Sequence, residues 1–219
     1  MTDRFRLTLA QLDPTVGAID ANAAAVRRAH AEARAAAADM VVFPEMFLTG
    51  YQPQDLVRRP AFLRAATAKM EELAALTAEG PAIGLGGPYA SAEGLHNGYW
   101  ILAGGRVKQV LRKHHLPNDT VFDERRVYSP GPLEGPYAIG PLRIGSPICE
   151  DAWSEDVAEA QVESGAEILV VPNGSPYHRG KFDIRLSHMV ARVTENDVPL
   201  VYLNPHYSPS RLGGALEAG

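Results

Sequence analysis

The spacing of apolar residues changes from strand-like to helix-like within the first forty positions. Residues 5–9 alternate between apolar and polar side chains, which predicts a half-buried strand. From Asp20 to Ala38 the chain is rich in alanine and its apolar residues recur at helical spacing, so we predict a helix with Asp20 as its N-cap. The wholly apolar run 40–43 ends at Pro44 and predicts a buried strand.

The same two patterns recur through the rest of the chain. Further strands are predicted at 82–86, 99–103, 107–112, 142–148, 168–171 and 200–203. Further helices are predicted at 63–73, after a cap at Ser154, and at 181–195. Gly104 and Gly105 predict a hairpin, whereas the glycine-rich segment 84–89 reads as a strand end that turns into a loop. Residues 114–141 contain five prolines and no clear period, which predicts a long ordered loop.

Two segments of similar pattern indicate two similar halves. The segments "ADMVVFPE" (38–45) and "AEILVVPN" (166–173) each run through an apolar strand into proline and a polar residue. Apolar strands buried on both faces need a covering layer on each side. Helices on one face and a second sheet on the other predict an α/β sandwich. The rival, a doubly wound parallel sheet, fits the central hairpin poorly.

Composition narrows the class of protein. The chain has 219 residues, 46% of them hydrophobic, which favours one domain and leaves two small ones open. A net charge of -5 gives no basic surface for nucleic acid. The single cysteine excludes a disulfide framework and fits a reducing compartment. With no signal-peptide pattern and no apolar run of about 20 residues, we predict a cytoplasmic chain without membrane or nucleic-acid partners.

Three reactive side chains follow predicted strands. Glu45, Lys113 and Cys149 each stand at a strand end, where α/β folds tend to place catalytic groups. A thiol is only a few per cent thiolate at pH 7 and needs activation. An ammonium can stabilise the thiolate and the oxyanion that follows, and a carboxylate can take the thiol proton. Taken singly, the three residues could instead cap a turn, face solvent and pack in the core.

Other chemistries suggested by the histidines are weaker. His114 and His115 are adjacent on an extended segment, so their side chains are expected to point opposite ways, and no metal site is predicted. A papain-like pair of Cys149 with His178 or His188 is conceivable. It lacks the local cysteine signature of that class and leaves the glutamate and lysine unexplained.

Together these motifs resemble the nitrilase, or carbon–nitrogen hydrolase, superfamily. The resemblance rests on Glu in "FPEMFLTGY", Lys in "RKHHLPN" and Cys in "ICEDAW". More narrowly, the chain resembles the N-terminal glutaminase domains of glutamine-dependent NAD synthetases. The segments that carry this likeness are "LTGYQPQDLVRRPAF" (48–62), "RKHHLPNDTVFDERRVY" (112–128), "CEDAW" (149–153) and "PNGSPYHRGK" (172–181). The fold implied is an α-β-β-α sandwich over residues 1–204.

The resemblance also implies roles for individual residues. Cys149 would be the nucleophile and Glu45 the general base. Lys113 would stabilise the oxyanion, with the backbone N–H of Glu150 as a second donor, and Glu124 would help to hold the site. The remaining matched positions would line a glutamine pocket or support it: Tyr51, the backbone of Phe122, Ser175, Tyr177, Trp153 and, as a structural residue, Asp151.

The implied activity is hydrolysis of glutamine to glutamate and ammonia through a cysteine thioester. In the family, ammonia passes to a synthetase domain or subunit, the expected partner, which makes NAD. No Ser-Gly-Gly-x-Asp-Ser stretch occurs in the chain, so ATP and magnesium are expected to belong to that partner and no cofactor to this chain. The alternatives are a stand-alone amidase of the superfamily and a truncated, non-catalytic binding relative.

The likeness stops at Asn204. Residues 205–219 are poor in apolar residues and are expected to form a flexible tail. We expect the sandwich to lack its last strands, which exposes a sheet edge and favours a homo-oligomer. Because these strands are expected to be missing, we expect the chain alone to be a poor glutaminase.

Overall fold

Two β-sheets form the framework of the protein, in a computed structural model that describes residues 4–118, 122–176 and 179–206. The first sheet has the strand order β1 (Leu7–Leu9), β2 (Met40–Val42), β3 (Ala82–Ser91), β4 (Gly94–Ala103) and β5 (Arg106–Arg112). The second has the order β6 (Tyr137–Ile139), β7 (Leu142–Gly145), β8 (Ile168–Pro172) and β9 (Leu200–Leu203). The α-helices are α1 (Ile19–Ala35), α2 (Pro60–Ala74), α3 (Asp156–Glu163) and α4 (Lys181–Asn196).

Each sheet combines parallel and antiparallel pairing. In the first sheet β1, β2 and β3 are parallel, and β4 and β5 continue it as antiparallel hairpins. In the second sheet β7, β8 and β9 are parallel, and β6 pairs with β7 in the antiparallel sense. The two similar segments of the sequence contain β2 and β8, which lie inside their sheets.

Alternating side chains on the strands explain the layers. On β2, Met40 and Val42 pack between the two sheets, whereas Val41 faces the core formed with α1 and α2. On the far side, Val171 of β8 packs with Met189 of α4. The layers therefore run helix, sheet, sheet, helix, which confirms the predicted sandwich.

The largest difference from prediction is a long hairpin between β3 and β4. Ser91 pairs with Gly94, so the glycine-rich segment 84–89 lies inside a strand instead of ending one. Gly86 has a packing reason: a Cβ on it would lie 2.2 Å from the backbone nitrogen of Met46. The segment after β2 thus crosses directly over β3, and only glycine permits so close an approach.

Smaller corrections concern element ends. The predicted loop 114–141 contains β6, a strand of three residues that its flanking prolines concealed. Neither proposed cap holds: α1 begins after Ala18 and α3 after Glu155, and neither N-cap makes a side-chain cap hydrogen bond, so Asp20 and Ser154 do not cap these helices. The strand predicted at 142–148 stops at Gly145.

The outer surface and the end of the chain complete the description. No helix within the described part of the chain is long and apolar enough to cross a membrane. The side chains of Phe182, Leu186 and Val190 form an exposed apolar row along α4. The tail predicted for 205–219 lies, from residue 207 onward, outside the described residues.

Candidate active site

The three predicted reactive residues come from three different strand ends and meet inside the sandwich. Glu45 follows β2, Lys113 follows β5, and Cys149 begins a short 3-10 helix, Cys149–Ala152, soon after β7. Their exposed fractions are 1%, 0% and 3% respectively. The Nζ of Lys113 lies 2.7 Å from Oε1 of Glu45. The structure therefore brings together residues that are 68 and 36 positions apart.

A second carboxylate shares the lysine. Glu124, in the short helix Glu124–Arg126, places Oε2 at 2.9 Å from Nζ of Lys113. Burial raises the pKa of Glu124 to about 7, although the charge of Lys113 opposes the shift. With two carboxylates close to one ammonium, Glu124 tends to keep its proton near neutral pH. Because this pKa is raised on folding, the stability that Glu124 contributes is greatest below its unfolded pKa and is lost as the pH rises through about 7.

Asn97 is a site residue that sequence reasoning missed. It lies on β4, fully buried, and its Nδ2 donates to Oε1 of Glu45 at 2.7 Å and to Oε1 of Glu124 at 3.3 Å. The backbone carbonyl oxygen of Asn97 accepts a hydrogen bond from the backbone N–H of Lys113 at 2.9 Å. One side chain thus fixes both carboxylates, while its backbone fixes the lysine. A polar residue within the apolar strand "HNGYWILA" was the available signal.

The thiol of Cys149 is held in its protonated form. Burial and the charge of Glu45 raise its pKa, while Lys113 and a backbone hydrogen bond with Gly174 oppose the rise. Lys113 therefore lowers the pKa of the thiol, as expected, but burial and the charge of Glu45 raise this pKa by more. We therefore expect the thiol to lose its proton during attack, to a carboxylate as the sequence predicts. The residue itself has φ of 49°, a left-handed backbone conformation that is uncommon for a residue other than glycine.

Gly174 forms one wall of this site, close to the glutamate. A Cβ on Gly174 would lie 2.6 Å from Oε2 of Glu45 and 3.0 Å from Cδ1 of Tyr51. The first distance is shorter than real Cβ contacts, and the second is tighter than most of them. The motif "PNGSPY" contains this glycine, but nothing in the local sequence indicates that it lies against Glu45.

We expect Gly174→Ala to lower amide hydrolysis by about 10²-fold, since a displacement of the order of 1 Å at a reacting group has this effect. The added methyl must displace the Glu45 carboxylate or the Tyr51 ring. The measurement is kcat for hydrolysis beside the melting temperature. Gly135→Ala is the control, because its nearest neighbour would be an ordinary contact at 3.7 Å. Equal kcat values for the Gly174→Ala and Gly135→Ala variants would contradict the conclusion that Gly174 forms a wall of the site.

Asp151 fastens the cysteine turn to the lysine segment. Its Oδ1 accepts the backbone N–H groups of His114 at 3.1 Å and His115 at 2.7 Å, and its Oδ2 accepts that of Ile148 at 3.1 Å. The residues flanking Lys113 and Cys149 are thus tied through one carboxylate. This geometry supports the structural function predicted for Asp151.

The predicted pocket residues divide into two groups. The hydroxyl of Tyr51 donates to Oε1 of Glu124 at 3.2 Å, and the ring of Phe122 lies 6.4 Å from that of Tyr51. The backbone of Ser175 is bound by Asn204, while its Oγ accepts Nη2 of Arg185 at 3.0 Å. Tyr51 therefore borders the lysine–carboxylate cluster directly, whereas Ser175 is held by Asn204 and Arg185.

The other predicted residues lie around the cysteine turn. Glu150 directly follows Cys149, and its carbonyl oxygen accepts the backbone N–H of Trp153 at 2.9 Å. The Trp153 ring packs at 4.4 Å from His188, so the histidine of the papain-like alternative is engaged by an indole. Tyr177 and His178 lie outside the described residues.

A cleft beside Tyr51 and Glu124 opens toward the surface. It is lined by Tyr51, Gln52, Pro53, Gln54, Asp123, Glu124, Arg126, Val127 and Tyr128. A small polar molecule could approach the buried cluster from this side.

The buried Glu–Lys–Cys cluster agrees with the protein family that the sequence of this chain matches. Residues 6–211 match the family described as carbon-nitrogen hydrolase. The chain belongs to the carbon–nitrogen hydrolase family. Among its curated relatives, a glutamine-dependent NAD(+) synthetase of Rhodobacter capsulatus is 57% identical over 93% of this chain, and one of Thermotoga maritima is 36% identical over 92%.

Solved structures agree with the fold of this hydrolase. The glutamine-dependent NAD+ synthetase from Acinetobacter baumannii, in complex with ADP, is 29% identical over 92% of this chain, with a TM-score of 0.83. An amidase from Nesterenkonia sp. is similar in fold, with a TM-score of 0.79 at 21% identity, and the hydrolase covers 76% of it. By contrast, the hydrolase spans only 37% of the Rhodobacter relative and 38% of the Acinetobacter chain.

Proposed function

We propose that this carbon–nitrogen hydrolase is a glutaminase, which releases ammonia from glutamine for NAD synthesis. The observation that carries the proposal is the contact of Lys113 with both Glu45 and Glu124 beside the Cys149 thiol. The similarity to glutamine-dependent NAD synthetases over 93% of the chain supports glutamine as the amide.

Glu45 has one oxygen placed for proton transfer. Its Oε1 already accepts Lys113 and Asn97, both at 2.7 Å. Its Oε2 is buried and has no hydrogen-bond partner among residues 4–118, 122–176 and 179–206. That oxygen faces Gly174, whose backbone bonds with the thiol. The free oxygen therefore lies on the side of the nucleophile, where a general base is needed.

In the first half-reaction, Sγ of Cys149 attacks the side-chain carbonyl carbon of glutamine, and its proton passes to Oε2 of Glu45. The C–S bond forms and the carbonyl oxygen becomes an oxyanion. When the oxyanion collapses, the C–N bond breaks, and Glu45 returns the proton to the leaving nitrogen. Ammonia and a γ-glutamyl thioester result.

In the second half-reaction, water replaces the thiol as nucleophile. Glu45 takes a proton from the water, the new C–O bond forms, and the C–S bond breaks. The proton then returns to the sulfur, which restores the thiol and releases glutamate. The same carboxylate thus serves first as base and then as acid in each half-reaction.

Lys113 has the donors that this cycle demands. An ammonium carries three N–H donors, and the two carboxylates account for two of them. The third donor is proposed for the oxyanion, together with the backbone N–H of Glu150. Such preorganised donors are the largest single source of stabilisation in many acyl-transfer sites.

The partners of the reaction follow from the chemistry. Ammonia would pass to a synthetase domain or subunit, and ATP and magnesium would be bound there, with no cofactor needed for the hydrolysis itself. The curated relatives, of which this hydrolase spans just over a third, are named for the whole synthetase reaction. Homo-oligomer formation stays a prediction.

A panel of amides tests the choice of substrate. We expect kcat/KM for glutamine to exceed that for aliphatic amides or nitriles by about 10²-fold or more, because a site that binds polar groups rejects analogues that lack them. Tyr51→Ala and Ser175→Ala should raise KM for glutamine more than they lower kcat. Faster hydrolysis of nitriles or N-carbamoyl compounds would favour a stand-alone amidase instead.

A further inference from the structure

Two histidines and an aspartate form a second cluster outside the thiol site. His114 and His115 follow Lys113, and Asp156 is the first residue of α3. One ligand atom from each residue lies within 4.8 Å of the other two. The extended segment predicted to separate the two histidines bends here, and their ring centroids are 4.7 Å apart.

The hydrogen bonds leave a metal-binding nitrogen on His114. Its Nδ1 lies 2.7 Å from the carbonyl oxygen of Gly131. A carbonyl only accepts, so Nδ1 carries the proton and Nε2 keeps its lone pair. Histidines that bind metals are commonly oriented in this way by a backbone carbonyl.

The other two ligands are already in contact. Nε2 of His115 lies 2.8 Å and 3.0 Å from the two carboxylate oxygens of Asp156. Their side chains are 31% and 46% exposed, so an ion can reach them from solvent. The pair by itself could be an ordinary ion pair at the start of a helix. The third nitrogen, from His114, is what distinguishes the cluster from such a pair.

The backbone beneath the cluster is preorganised. The N–H groups of both histidines are bound by the buried carboxylate of Asp151. The ligands would have to contract to about 3.3 Å from one another, since zinc bonds of about 2.0 Å at tetrahedral angles require this. Asp156 and His115 are partly exposed, so their side chains have room to rotate toward these positions.

We propose that His114, His115 and Asp156 bind a divalent transition-metal ion of the zinc class, with water completing the coordination. Two imidazoles and a carboxylate suit zinc and its neighbours better than magnesium or calcium. A bound ion would join the segment after Lys113 to α3. The site lies apart from the proposed reaction and does not depend on glutamine as the substrate.

Calorimetric titration with zinc chloride tests the proposal. The Cys149→Ala chain is used, so that the thiol cannot serve as a ligand. We expect one ion per chain, with affinity lowered at least about tenfold by His115→Ala and by Asp156→Asn. His188→Ala, which changes a histidine outside the cluster, should leave the affinity unchanged.

Cobalt absorption provides a second measurement. Cobalt(II) bound at the cluster should give visible absorption bands, and these bands should disappear in His114→Ala. This measurement does not depend on whether the Asp156→Asn variant folds. Absence of saturable zinc binding would overturn the proposal. Zinc binding that survives both His115→Ala and His114→Ala unchanged would also overturn it, since the ion would then lie elsewhere.

Discussion

Replacing Cys149 by alanine should reduce glutamine hydrolysis by at least about 10⁴-fold, as the loss of a nucleophile does in other acyl-transfer enzymes. No other cysteine exists in the chain to replace it. Without Sγ no thioester forms, and the remaining Lys113 and Glu45 can only polarise the amide. Ammonia release measured with purified protein checks the result.

The fold must persist for this loss to be informative. Cys149 is a small buried side chain, so alanine removes little volume, and the melting temperature should change by only a few degrees. A Cys149→Ala chain that melts like the parent and still hydrolyses glutamine would show that the thiol is not the nucleophile.

Replacing Glu45 by glutamine should lower kcat by about 10³- to 10⁴-fold, the upper range for removal of a general base. The amide cannot take the thiol proton, and the raised pKa of Cys149 leaves little thiolate to react without it. The glutamine side chain still offers an oxygen to Lys113 and Asn97. We therefore expect loss of rate with a modest change in stability.

A matched control separates proton transfer from loss of an ion pair. Glu134 accepts a hydrogen bond from Nε of Arg112 at 2.7 Å. Arg112 directly precedes Lys113 in the chain, but this ion pair lies outside the thiol site. Glu134→Gln removes a carboxylate of the same kind and should keep most of the activity. Activity of Glu45→Gln that rises with pH toward the parental rate would support the assignment, since hydroxide then ionises the thiol. Equal loss in both variants would contradict it.

Strand periodicity predicted the framework of the site because each reactive residue follows a strand that its sequence pattern makes recognisable. The ends of β2 and β5 were recognisable, so Glu45 and Lys113 were placed correctly at strand ends. The cysteine turn was recognisable from the chain's single thiol and its neighbouring carboxylates. The two-sheet sandwich followed from apolar strands that need cover on both faces.

Contacts made across the fold were not predictable in this way. Asn97 interrupts an apolar strand, and nothing local shows that it meets two carboxylates from distant segments. Gly174 is conspicuous only once Glu45 lies against it. The alternation rule failed at His114, because the chain leaves its strand at Arg112 and bends.

Intact-mass spectrometry during turnover tests the central claim most directly. Protein mixed with glutamine and quenched in acid should gain the mass of one glutamyl group, located on Cys149 by peptide mapping and removed by hydroxylamine. The Glu45→Gln chain should form little adduct, and the Cys149→Ala chain none. Steady hydrolysis of glutamine without an adduct on Cys149, or an adduct of equal yield in Cys149→Ala, would contradict the thioester mechanism.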